Sequence, residues 1–162
     1  MIRNVFVVGD SGQALIAANF GECHSLGENG RMVSSLISAI HSFAQMLSTS
    51  SVDQINLGPL TFILLLRDEL MFAVAVDDDH VEEHISTAQR IVDLFMGQYA
   101  SVIGEFSEED LDRVSSDFAE ELVDRGLTDR NCGRQPDCRN CENRDTTFPV
   151  EKTASGISER MP

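Results

Sequence analysis

Three strings in this chain combine residue types that can do chemistry. Gly9-Asp10-Ser11-Gly12 sets a serine between glycines, as around some nucleophilic serines, but a triad also needs a positioned histidine and a buried aspartate. No frame for that triad is evident, and Asp-Ser-Gly is ordinary turn chemistry. His80-Val81-Glu82-Glu83-His84 has the H-x-x-E-H spacing, in which two histidines one helical turn apart hold zinc and a glutamate acts as base. It follows Asp77-Asp78-Asp79, where acidic residues cap a helix start and face water, so a solvated first turn is expected and no hydrolysis. Cys132, Cys138 and Cys141 form C-x5-C-x2-C, whose second half has the spacing of zinc or redox pairs. A structural zinc needs a fourth ligand. Asp137 is adjacent, and Cys23 with His24 could contribute only if the C-terminal segment folds back.

Charge and length restrict what surrounds these strings. The 162 residues are 42% hydrophobic, enough for one domain with a sizeable core and too few for two. Acidic residues outnumber basic ones 27 to 12, and a formal charge of −15 repels phosphate backbones and anionic membrane surfaces. Nucleic acid is therefore not an expected partner. Four cysteines, no tryptophan and no basic-then-apolar leader argue against a secreted disulfide scaffold. The longest apolar runs, at 62–66 and 70–76, fall far short of the ~20 residues of a membrane span. The expectation is a cytoplasmic chain without an integral membrane segment.

The hydrophobic pattern then orders the elements. Asn4 to Asp10 is β-branched and Ala14 to Phe20 returns after the Asp-Ser-Gly turn, which predicts an opening hairpin. A glycine-rich loop, 21–30, leads to a helix over Met32 to Leu47. Val52 to Asn56 alternates as a short strand. Leu60 to Arg67 and Leu70 to Val76 flank Asp68-Glu69, and runs apolar at successive positions predict strands covered on both faces. Val81, Ile85, Ala88, Val92, Phe95 and Tyr99 space as an amphipathic helix. Another begins at Ser107, whose Ser-x-x-Asp spacing to Asp110 resembles a capping box, and stops at Gly126. From about 128 the chain has six acidic and six basic residues and no period. The expected division is a folded domain over 1–127 and a polar, disordered tail with three cysteines over 128–162.

The helix over Met32 to Leu47 is the organising element. Met32, Val33, Leu36, Ile37, Ile40, Phe43, Ala44 and Leu47 recur at helical spacing and predict one buried face. Ser34, Ser38, His41, Ser42 and Gln45 are polar without fixed charge, and no Lys, Arg, Asp or Glu lies between Arg31 and Asp53. In a chain with 24% charged residues, a neutral strip of small side chains marks either a second buried face or the centre of a protein interface.

The order strand, strand, helix, strand, strand, strand, helix, helix predicts an α+β domain: a five-stranded antiparallel sheet with one helix on one face and two on the other. With the opening MIRNVFVVGDSGQALIAANF and the stretch LISAIHSFAQML, this order resembles the longin domains of membrane-trafficking proteins and the small chains of vesicle-coat adaptors over residues 1–125. The related roadblock fold usually places a helix before the first strand. The resemblance implies a non-catalytic module that forms homo- or heterodimers and binds or regulates a small GTPase, a trafficking-type complex or another longin- or roadblock-type protein. It implies no cofactor. A SNARE role is disfavoured, since no heptad segment or membrane anchor follows. Two alternatives stay open: a metal or redox protein using Cys132, Cys138 and Cys141, with zinc as its ion, and a small-ligand sensor on the same fold.

Overall fold

The structure is a computed structural model, and it describes residues 1–20, 30–47, 53–57, 60–77 and 81–130. The elements are β1 (Ile2–Val8), β2 (Ala14–Asn19), α1 (Gly30–Leu47), β3 (Gln54–Leu57), β4 (Leu60–Arg67), β5 (Leu70–Asp77), α2 (Val81–Gln98), a short 3-10 turn (Ile103–Glu105) and α3 (Glu108–Asp124). The expected α+β architecture is present: one sheet in the order β2-β1-β5-β4-β3, every neighbouring pair antiparallel.

Period-two alternation in the central strands sorts side chains to two faces. From β5, Phe72, Val74 and Val76 join the core shared with Ala88, Ile91 and Phe95 of α2 and Val114, Phe118 and Leu122 of α3. Met71, Ala73 and Ala75 point the other way, to Phe62 and Leu64 of β4 and Ile37 of α1. The apolar runs in β4 and β5 therefore reflect cover on both sides. Phe95 anchors the larger core, its ring 5.4 Å from Phe72 and 5.3 Å from Phe118, both edge-on.

Local signals at α3 act as expected. Ser107 is its N-cap: Oγ accepts from the Asp110 N–H at 3.2 Å, and the Asp110 carboxylate accepts from the Ser107 N–H at 3.1 Å, which completes the capping box. At the other end Gly126 takes φ +65°, its N–H bonding the Val123 carbonyl while the Leu127 N–H bonds the Leu122 carbonyl. This is a Schellman closure, and it buries Leu127 against the core beside Leu122. Thr128 is buried as well.

The strand bounds differ by a residue or two from the sequence expectation. β3 runs Gln54–Leu57, one residue beyond the expected end, because it pairs with β4 up to Leu57 opposite Leu60. α1 starts at Gly30, earlier than its first apolar residue. At the β2 edge α3 supplies cover, with the Ser115 hydroxyl accepting from the Ala17 N–H at 3.3 Å.

Candidate interaction surface

The outward face of α1 is the most distinctive surface, and its makeup follows from how the helix is rotated. At about 100° per residue, the eight apolar positions expected on one face spread over an arc of roughly 140°. The sheet takes only part of it. Ile37 is fully buried, and Val33 and Ile40 pack partly against the smaller core. Met32 and Leu36, expected inside, are 73% and 47% exposed. The buried sector is turned towards His41, which is only 6% exposed.

This rotation redistributes the expected polar strip. His41 lies inside and not on the outer face. Ser38 is half-buried against the β1–β2 turn: a Cβ added to Gly12, which sits at φ +78°, would meet the Ser38 Oγ at 3.0 Å. Ser42 is exposed. The side chains of Ser34 and Gln45 lie outside the described residues. The outward stripe consists of Met32, Ser35, Leu36, Ala39 and Ser42, at spacings of three and four. It is as free of charge as the expected strip and more apolar. Sequence reasoning missed Met32 and Leu36 because they were assigned to the core, and Ala39 belonged to neither the expected core face nor the expected polar strip. Their lack of any charged neighbour in α1 beyond Arg31 was the signal available.

The other strings separate. Gly9 to Gly12 closes the first hairpin, with the Gly9 N–H bonding the Gln13 carbonyl at 3.1 Å and the Gly12 N–H bonding the Gly9 carbonyl at 3.0 Å. Of the histidine pair, His80 lies outside the described residues, and His84 turns its Nε2 to the Met1 amine, 3.2 Å away. Cys132, Cys138 and Cys141, with Cys23 and His24, also lie outside the described residues. Among the described residues no group of three His, Cys, Asp or Glu is arranged to hold a metal ion. Among them, too, no helix is long and apolar enough to cross a membrane.

One carboxyl and one phenol have shifted pKa values. Hydrogen bonds from Ser107, first its hydroxyl and then its backbone N–H, hold the Asp110 carboxyl below the usual range, with Arg113 adding to the effect. Burial pushes Tyr99 upward, reinforced by Glu121 and Asp117. Tyr99 lies tilted against Phe95 and edge-on to Phe118, and neither shifted group lies on α1.

Sheet order and helix placement together define an α+β arrangement, a five-stranded antiparallel sheet with three helices. Among solved structures, Myxococcus xanthus MglB is similar over 84% of this chain and 83% of that chain, at 11% sequence identity and a TM-score of 0.35. No protein-family model matches the sequence, and no curated protein matches it.

Proposed function

We propose that this chain is a non-catalytic interaction module that pairs with a second copy through the outer face of α1 and binds or regulates a small GTPase or trafficking-type complex. The observation that carries the reading is the stripe Met32, Ser35, Leu36, Ala39 and Ser42: exposed, partly apolar and uncharged in a chain of formal charge −15. Two acidic chains repel at long range, so a contact between copies has to use a neutral surface. Small side chains at Ser35, Ala39 and Ser42 let two helices approach closely around a twofold axis, while Met32 and Leu36 supply apolar area to bury. The GTPase part rests on the longin-like pattern of the sequence and on the fold class that carries it. A cytoplasmic setting follows from the same reading.

The partner part is tested by using the wild-type chain and Ala39→Glu as immobilised baits in native lysate and identifying what is retained. Retention of a small GTPase by the wild type supports the reading. Retention of none, under conditions where other partners are retained, removes the GTPase from it.

A further inference from the structure

We propose that a cavity at one end of the sheet, remote in sequence from α1, binds a small organic cation: an ammonium or guanidinium group carried on an apolar body. The cavity measures about 660 Å³ and lies where the β1–β2 turn, the β4–β5 turn and the α2–α3 connection meet. That volume is within the range of roughly 300–1,000 Å³ typical of small-ligand sites. Leu15, Leu70, Met96, Phe106 and Leu111 line it, each only partly buried against the core. These side chains expose apolar surface to a recess and so favour an apolar guest.

The rim supplies the sign of charge. Asp10, Asp68 and Glu69 line the cavity, and no Lys, Arg or His is among the described lining residues. Arg67, which precedes the β4–β5 turn, pairs with Asp93 at 3.2 Å, and Arg113, two residues after Leu111, pairs with Asp110 at 2.6 Å. One rim residue holds a backbone conformation that ordinary residues avoid. Asp68 has φ +55°, the one non-glycine residue with positive φ among those described. Aspartate, like asparagine, tolerates this conformation in a tight turn, so the two-residue β4–β5 turn holds the Asp68 carboxylate beside the cavity. Since no three carboxylates in the described residues converge as metal ligands, a bare divalent ion fits poorly. An amphipathic cation meets both halves of the site, with its charge at the acidic rim and its apolar part on Met96 and Phe106. The net charge of −15 further enriches cations near the surface.

None of the described lining residues belongs to α1, so this site stands or falls separately from the pairing surface. The test is an NMR titration of the full chain, following the Met96 methyl with 4-phenylbutylamine and its neutral counterpart 4-phenylbutan-1-ol. The amine should shift the Met96 methyl saturably and bind about tenfold more tightly than the alcohol. Asp68→Asn combined with Glu69→Gln should abolish most of that preference and leave alcohol binding unchanged. Both substitutions are at exposed positions, and asparagine tolerates positive φ, so the fold is retained; an unchanged methyl spectrum of the free variant verifies this. No Met96 shift with the amine, equal binding of the two probes, or a preference that survives the double substitution would each overturn the proposal.

Discussion

Replacing Asp77 with asparagine should destabilise the fold more than replacing its partner Arg3 with methionine, and the reason lies in unequal burial. Arg3 is the extra residue at a bulge in the β1–β5 ladder, between Ile2 opposite Val76 and Asn4 opposite Ala75. Its guanidinium bonds the Asp77 carboxylate through Nε and Nη2. The side chain of Arg3 is 5% exposed, whereas that of Asp77 is 27% exposed and also lies 3.4 Å from the Met1 amine. Asp77→Asn leaves a desolvated cation facing a neutral amide, a loss of about 3 kcal/mol, at the low end for a broken buried pair because the amide oxygen still accepts one bond. Arg3→Met leaves a carboxylate with access to water. It also removes Nη1, which is buried without a hydrogen-bond partner among the described residues, so the loss should be about 1 kcal/mol. Urea unfolding of the two single variants and the double, at constant slope, measures the difference. The double variant should lie close to Arg3→Met. If Arg3→Met proves as damaging as Asp77→Asn or more so, the pair is not governed by the buried cation and the reasoning fails.

Three further outcomes follow from the geometry. Ser107→Ala should cost about 1 kcal/mol through loss of the α3 cap. Asp110 is held below its unfolded value, so its contribution is present above that value and is lost as pH falls through the folded one; the gap between wild type and Ser107→Ala in denaturant melts should therefore narrow in acid. The chain has one tyrosine and no tryptophan, so an alkaline absorbance titration reads Tyr99 alone, and its midpoint should lie above the ordinary value of 10.0, with stability lost as pH rises past the unfolded value. Removing residues 131–162 should leave the melting temperature within a few degrees, since that stretch of sequence carries few large apolar side chains; cutting before Leu127 should lower it clearly, because that cut removes the Schellman closure.

What the sequence disclosed was whatever depends on near neighbours along the chain. The capping box from Ser107 to Asp110 spans one helical turn and could be read directly. So could the strands of the sheet, because Leu60 to Arg67 and Leu70 to Asp77 advertise cover on two faces and are joined by a two-residue turn. Rotation of α1 could not be read in the same way. Eight apolar positions spread over a wide arc allow several rotations, and packing of Ile37, His41 and Ser38 against the sheet and the Gly12 turn selects one of them. The rotation therefore divides the neutral residues of α1, burying His41 and leaving Ser42 exposed. The cavity left no local trace either. Asp10, Asp68 and Phe106 come from three separate connections, and only the folded sheet brings those ends together.

The pairing surface is tested most directly by sedimentation of the wild-type chain and Ala39→Glu over a micromolar concentration series. Ala39 is exposed and small, which makes it a cleaner probe than Ser38, where a larger side chain would press on Gly12 and disturb the monomer itself. On a solvated helix face the substitution should change stability by no more than about 0.5 kcal/mol. At a twofold contact it sets two partly desolvated like charges near the axis, a cost of roughly a few kcal/mol and so a hundredfold or more in dissociation constant. The wild type should be a dimer and Ala39→Glu a folded monomer. A wild-type monomer throughout the series, or a dimer indifferent to the new charge, would contradict pairing through this face.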